Sequence, residues 1–232
     1  MLTKLTALFD GHLPHLIAFD LDGTLVDSVP DLAAAVDAML NELQRPAAGE
    51  EAVRTWVGNG AAMLVKRALA GSDQAQQLDQ ITEPQLQHAL EIFRRCYAQE
   101  NGARTRLYGG VQPVLEALSA LPVPLALITN KPIQFTGPLL QAMEIERYFQ
   151  FTIGGECLPE KKPHPMQLEQ AAGHFQVQPA HCLMVGDSKN DILAAKTAGW
   201  RSVALTYGYN HGEPVAQYEP DWVIDDFREL IL

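Results

Sequence analysis

Residues 16–19 (LIAF), 124–128 (PLALI), 151–153 (FTI), 182–185 (CLMV), 202–205 (SVAL) and 222–224 (WVI) are short runs dominated by apolar side chains. Their length suits buried strands and is too short for helices. From residue 108 onward they alternate with stretches of helical periodicity: 111–121, 135–143 (with Pro138 as a local irregularity), 166–175 and 190–198. Repeated strand–helix units imply an α/β fold, a doubly wound, Rossmann-like parallel sheet. The first run is separated from the rest by a long interval with no strand pattern. There Ser28 can cap a helix with Pro30 in its first turn, and Leu32, Val36, Met39, Leu40 and Leu43 recur at helical spacing. Trp56 and Val57, then Met63, Leu64, Ala68 and Leu69, then Leu86, Leu90, Phe93 and Tyr97 continue helical periods, broken at Gly71-Ser72-Asp73. The expectation is a core domain of residues 1–30 and 105–232, interrupted by an all-helical cap of residues 31–104.

Composition narrows the function. The formal net charge of the 232 residues is -11, which leaves no basic stripe for nucleic acid. A small anionic substrate stays open, because local charge and bound metal decide that. No apolar stretch is long enough to span a membrane. Residues 1–15 lack a basic region followed by an apolar core, so a signal peptide is not expected. Cys96, Cys157 and Cys182 are odd in number and widely spaced, and are expected to be reduced packing residues within apolar surroundings. A cytoplasmic enzyme, monomeric or homodimeric, is the expectation.

Chemistry-bearing residues fall where the strand-like runs end. Asp20 and Asp22 follow the first run and lead into a glycine turn, Asp20-Leu21-Asp22-Gly23. Residues two apart in a strand point the same way, and open α/β sheets place ligands at the carboxyl ends of their strands. Paired carboxylates suit Mg²⁺, and in different surroundings they divide into nucleophile and general acid. Thr129 and Asn130 end the second run, and a hydroxyl there can donate to a phosphoryl oxygen. Lys161 and Lys162 precede Pro163 and a helix, where a lysine can neutralise phosphate. Gly186-Asp187-Ser188-Lys189-Asn190-Asp191 follows the fourth run; Asp187 can reach the same metal as Asp20, and Asp191 opens a helix.

That order (D-x-D, T, K, D-x-x-x-D) resembles the haloacid dehalogenase superfamily over essentially the whole chain, and the helical insert after the first motif resembles its C1-cap subclass. The resemblance implies a phosphate monoester hydrolase. Asp20 matches the nucleophile that forms an aspartyl-phosphate, and Asp22 the general acid/base. Thr129 matches the phosphate-binding hydroxyl, with Asn130 beside it, and Lys162 matches the motif lysine better than Lys161. Asp187 matches the Mg²⁺ ligand, joined by the Asp20 carboxylate and the Asp22 main-chain carbonyl. Asp191 matches the supporting acid that orients the lysine or a metal-bound water. Dehalogenation is not expected, since it would need neither Asp22 nor the metal carboxylates.

The resemblance extends to DLDGTLVDSVPDL from Asp20, to Trp56-Val57-Gly58-Asn59-Gly60-Ala61, to Ile128-Thr129-Asn130-Lys131-Pro132 and to Leu205-Thr206-Tyr207-Gly208-Tyr209-Asn210. It implies a small phosphorylated metabolite, 2-phosphoglycolate, cleaved to glycolate and phosphate. Another sugar or metabolite phosphate, or a C1-cap phosphomutase reaction, remains an alternative. Tyr108-Gly109-Gly110-Val111 departs from the family pattern by lacking a proline, and a looser loop is expected there. Phosphoglycolate offers little apolar surface, so its carboxylate must be read. Gly58, Asn59 and Gly60 open a helix, and free amides at a helix start bind anions. Arg67 is either a cationic helper or a surface salt bridge.

Overall fold

The computed structural model describes residues 2–232; Met1, the first residue of the expected core segment, lies outside the described residues. In chain order the strands are β1 (Leu16–Phe19), β2 (Val26–Asp27), β3 (Arg106–Leu107), β4 (Leu125–Ile128), β5 (Phe151–Ile153), β6 (Cys182–Gly186), β7 (Arg201–Leu205) and β8 (Trp222–Ile224). Six of them pair in parallel in the order β5-β4-β1-β6-β7-β8. Central β1 aligns Ala18 with Ala126 of β4 on one side and with Met184 of β6 on the other.

Alternation along these strands splits their side chains between two cores. Ile17, Phe19, Leu125, Leu127, Leu183 and Val185 face one way, and Leu16, Ala18, Ala126, Ile128, Cys182 and Met184 the other. Helices cover both faces, which is why the strands read as unbroken apolar runs. Among the described residues the ten α-helices are α1 (Thr3–Ala7), α2 (Val29–Glu42), α3 (Gly49–Trp56), α4 (Ala61–Ala70), α5 (Ala75–Leu78), α6 (Glu83–Glu100), α7 (Val111–Ser119), α8 (Ile133–Ala142), α9 (Met166–Phe175) and α10 (Lys189–Ala198). Val111, Val114, Leu115 and Leu118 of α7 join the first core; Leu168, Ala171 and Ala172 of α9 and Ala194 and Ala195 of α10 join the second.

The stretch between β2 and β3 is helical, as expected. Helices α2, α3, α4 and α6 surround a separate apolar cluster that includes Val36, Met39, Val53, Leu64, Val65, Leu90, Phe93 and Tyr97. Phe135 and Tyr209, from outside this helical stretch, also belong to it. The ribbon β2–β3 was not legible in the sequence. Each strand is two residues long, too short for a periodicity, yet the pair joins the chain where it leaves the sheet domain and where it returns, Val26 opposite Leu107 and Asp27 opposite Arg106.

Three local expectations change. Ser28 occupies the position before α2, but its backbone is αR and its side chain caps nothing. Its hydroxyl donates instead to Asp22 Oδ1 at 2.5 Å. Cys157 is exposed rather than set in apolar surroundings, while Cys182 is buried; all three cysteines are free. The Tyr108–Val111 loop is pinned: the Tyr108 amide donates to Leu25 O at 3.0 Å, and a Cβ at Gly110 would come within 2.6 Å of Arg228 Cγ.

Candidate active site

The chain leaves β1 for β4 on one side and later returns to β6 on the other, so the strand order reverses beside β1. Crevices of α/β sheets open at such a point, beyond the carboxyl ends of the strands. Asp20 follows β1, Thr129 follows β4, and Asp187 follows β6. The structure therefore brings the strand-end residues to one edge.

Asp20 and Asp22 line the same cavity but keep different company. Lys162 Nζ lies 2.9 Å from Asp20 Oδ1, out of line for a hydrogen bond, so that buried oxygen has no hydrogen-bond partner. The same ammonium donates to Asp191 Oδ1 at 2.7 Å and to Ile128 O at 2.6 Å. Asp191 Oδ2 accepts from the Ser188 amide (3.1 Å) and hydroxyl (2.8 Å), so this acid both caps α10 and holds the lysine. Lys161 and Lys162 both line an outer groove, but Lys161 makes no bond to these carboxylates among the described residues. Asp22 accepts from Ser28 and from Lys131 Nζ, at 3.1 and 3.3 Å from its two oxygens.

Asp187 sits in a tight cradle. Its oxygens accept from the Thr24 hydroxyl and the Tyr209 amide, both at 2.6 Å. Gly23, at φ +90°, lies so close that a Cβ there would stand 2.3 Å from Asp187 Oδ2. Any side chain at that turn would displace the carboxylate.

The three carboxylates of Asp20, Asp187 and Asp191 offer oxygens that all lie within 4.8 Å of one another. Crowding of that kind is electrostatically costly without a cation among them. Burial pushes the Asp20 carboxyl up to about 6, with Lys162 pulling it down and Asp191 pushing it further up. Burial, then Asp191, then Asp20, raise Asp187 well above the usual carboxylate range. For Lys162, burial disfavours the charge, but Asp191 and Asp20 outweigh burial and raise its pKa. A hard cation suits this set: oxygen donors, like charges and an Asp20 oxygen that accepts no hydrogen bond.

Thr129 is buried, and its Oγ1 accepts from the Lys131 amide at 3.1 Å, which leaves its own proton available. Asn130 does something the sequence did not reveal. Its Nδ2 donates to Lys162 O (2.9 Å) and to Gly58 O (3.2 Å), and Asn190 Nδ2 also donates to Gly58 O (3.1 Å). The glycine turn before α4 is thus held by two core side-chain amides. Gly58 and Gly60 face the catalytic cavity, whereas Asn59 faces the outer groove. Arg67 also lines that groove, is half-buried, and donates to Trp56 O at 2.6 Å; it makes no salt bridge among the described residues.

Sequence reasoning missed Lys131 and Tyr97. Lys131 Nζ donates to the Tyr97 hydroxyl at 2.6 Å, and Tyr97 comes from α6. Both side chains are buried. Burial disfavours the Lys131 charge, but Asp22 and Tyr97 outweigh it and raise its pKa. The available signal was position: Lys131 stands two residues beyond Thr129, as Asp22 stands two beyond Asp20. The cavity is about 40 Å³, room for a few waters.

A haloacid dehalogenase-like hydrolase family model matches residues 14–199. The chain belongs to this family. It is 54% identical over 224 residues, 97% of its length, to the phosphoglycolate phosphatase of Pseudomonas fluorescens Pf-5, of which it covers 81%. It is 52% identical to phosphoglycolate phosphatase 1 of Pseudomonas aeruginosa, over 96% of this chain and 80% of that protein. The crystal structure of a predicted phosphoglycolate phosphatase from Haemophilus somnus superposes with a TM-score of 0.86 at 43% identity, covering 93% of this chain and 96% of that one. The Rossmann-like core is thus that of the family, and the chain is an enzyme, a phosphoric monoester hydrolase.

Proposed function

We propose that the chain hydrolyses 2-phosphoglycolate to glycolate and phosphate through an aspartyl-phosphate on Asp20. The observation that carries the mechanism is the buried ammonium of Lys162 held between Asp20 and Asp191, beside the cradled Asp187. The choice of ester is supported by relatives named phosphoglycolate phosphatase at 52–54% identity.

In the first step an Asp20 oxygen attacks phosphorus, the bond from phosphorus to the ester oxygen breaks, and Asp22 gives its proton to the departing alkoxide. In the second, Asp22 takes a proton from water, whose oxygen attacks phosphorus. The bond to Asp20 breaks, releasing inorganic phosphate and restoring the carboxylate. Thr129 donates its free hydroxyl proton to a phosphoryl oxygen, Lys162 offsets charge there, and Asp191 holds Lys162 in place. Asp20, Asp187 and the Asp22 main-chain carbonyl would hold a Mg²⁺, which when bound neutralises charge between the dianionic phosphoryl group and the carboxylates.

Residues 31–104 act in this proposal as a cap that closes over a core of residues 1–30 and 105–232, excluding all but the attacking water. Asn130 acts with Gly58 and Gly60 in that closure. No helix is long and apolar enough to cross a membrane, and the three free cysteines are consistent with the cytoplasmic location proposed.

The test is a phosphate-release screen of the purified chain with Mg²⁺ over phosphoglycolate, other phosphorylated acids and sugar phosphates, paired with trapping of the acyl phosphate by hydroxylamine. The expected result is a highest kcat/KM for phosphoglycolate and a trapped label on Asp20. A better substrate from another class overturns the ester; turnover with no trappable acyl phosphate overturns the mechanism.

A further inference from the structure

The groups assigned to phosphoryl transfer sit on one side of the cavity. The same cavity is also lined by Leu64, Phe93, Tyr97, Phe135 and Lys131, within reach of the far end of a small ester. Most of that wall is carbon, and a carboxylate pressed against carbon without a partner loses its hydration with nothing in return. Lys131 is the one cation among the residues lining the cavity.

Its placement is fixed from both directions. The Lys131 amide donates to Thr129 Oγ1 (3.1 Å) and its carbonyl accepts from the Gly155 amide (2.9 Å), so the backbone is tied down. Its ammonium touches Asp22 and the Tyr97 hydroxyl. The Tyr97 ring stacks on Phe93 with centroids 5.6 Å apart and meets Phe135 edge-on at 4.9 Å, which sets the hydroxyl in one spot. Donor counting leaves capacity over. The two Asp22 oxygens can share one ammonium hydrogen and Tyr97 takes a second, leaving a third. Tyr97 accepts from Lys131, and its own hydrogen has no acceptor among the described hydrogen bonds, although the residue is 1% exposed. Two adjacent buried donors with free hydrogens beside the cavity form an anion site.

We infer that Lys131 and Tyr97 together read the second anionic group of the substrate, a carboxylate next to the phosphorylated carbon, and so set a preference for phosphorylated acids over neutral phosphate esters. This rests on the phosphoglycolate reading above. It also gives substrate a reason to favour closure, because one donor comes from the helical cap segment and the other from the β4–α8 loop.

The test compares Lys131→Met and Tyr97→Phe with the wild type on three esters: phosphoglycolate, ethyl phosphate (the same length without the acid) and 4-nitrophenyl phosphate. A lost charged hydrogen bond to a buried carboxylate is expected to cost roughly 10–100-fold. Lys131→Met should therefore lower kcat/KM for phosphoglycolate by about that factor, mostly through KM, and lower the other two by less than about 5-fold. Tyr97→Phe, which keeps the ring packing, should show the same selectivity change at about 5–10-fold, and it carries the test if Lys131→Met does not fold. An equal fall on all three esters overturns the inference, leaving Lys131 as a brace for Asp22 alone. If the wild type prefers a different phosphorylated acid, the phosphoglycolate reading falls, while loss of that acid preference in Lys131→Met still supports the inference. A wild type that prefers ethyl phosphate overturns both.

Discussion

The two walls of the catalytic cavity are made of different materials. On the sheet side stand Asp20, Asp22, Thr129 and Lys131, with Lys162 and Asp187 just behind; on the helical side stand Leu32, Val57, Leu64 and Phe93, with a single side-chain polar group, the Tyr97 hydroxyl. On the sheet side Asp20 and Asp22 follow β1, which is laddered on both sides, and Lys131 follows β4. The helical side meets the sheet domain through bonds to Gly58 O, the Lys131–Tyr97, Arg94–Glu156 and His211–Thr55 contacts, the Asp27 cluster at the β2–β3 ribbon, and packing on Phe135 and Tyr209. Charged groups are thus concentrated on the sheet wall and apolar enclosure on the helical wall.

The sharpest way to break this division is to remove the proposed nucleophile. Asp20→Asn should abolish acyl-phosphate formation and lower turnover by more than about 10⁴-fold. The thermal midpoint should stay near the wild-type value, because the variant relieves one of three crowded carboxylates while Lys162 keeps Asp191. Near-native turnover in the purified variant would remove the mechanism. Chelation should have an effect of similar size. EDTA is expected to abolish activity, since Asp20, Asp187 and the substrate phosphate would be left to repel one another. Mg²⁺ should restore it, whereas Ca²⁺, which favours more oxygens at longer distances, should inhibit. Full activity in EDTA would count against a metal at Asp20 and Asp187.

Asp22→Asn removes the proposed acid while leaving the nucleophile. The expected loss is on the order of 10²–10⁴-fold in kcat, a general acid's share, and smaller for 4-nitrophenyl phosphate, whose leaving group needs little protonation. An equal loss on both substrates would point to Asp22 as a positioning group for Lys131 and Ser28 only.

The same contrast explains what could be read beforehand. Strand-end chemistry is local: Asp20, Thr129 and Asp187 each directly follow a strand that the apolar runs locate, Asp191 stands in the first turn of α10, and Lys162 in the loop before α9. Helical enclosure is not local. Tyr97 reads as another apolar position on α6, between Phe93 and the helix end, and only the fold brings it 2.6 Å from Lys131, 34 residues away. Asn130 looked like a pocket residue from its place at a strand end, but nothing nearby in sequence announces its bond to Gly58, 72 residues earlier. The β2–β3 ribbon is too short to show a pattern, although the departure and return of the chain were placed near it.

Gly60 tests whether the helical wall encloses or recognises. It has φ +83°, and a Cβ there would meet Lys161 Nζ at 2.8 Å and Asn130 O at 3.2 Å. Both contacts are to the sheet domain, so Gly60→Val should impede closure. A β-branched residue in that conformation costs of order 1–3 kcal/mol. The expected result is a fall of about 10-fold in kcat/KM of similar size on phosphoglycolate, ethyl phosphate and 4-nitrophenyl phosphate. A fall confined to phosphoglycolate would return the carboxylate-reading role to the Gly58-Asn59-Gly60 turn and take it from Lys131 and Tyr97.

The smallest effect is expected at the edge of the helical wall. Arg54 of α3 reaches Asp27 of β2, with its two terminal nitrogens each 3.3 Å from an Asp27 oxygen, and lies over the Tyr209 ring at 5.6 Å. It also pairs with Glu50 at 2.9 Å. The Tyr209 hydroxyl independently donates to Asp27. The Arg54 and Asp27 side chains are 40% and 32% exposed, so water and salt screen their attraction and the pair is worth at most about 1 kcal/mol. Arg54→Ala should therefore raise KM by no more than about 5-fold at low salt with kcat nearly unchanged. The difference from wild type should shrink further at about 0.5 M salt, where the screening length is only a few ångströms. A loss above about 10-fold that persists in high salt would show that closure depends on this side chain as a rigid strut. The helical wall would then be anchored as firmly at the β2–β3 ribbon as the sheet side is at its strand ends, and the division between a charged sheet wall and a merely enclosing helical one would not hold.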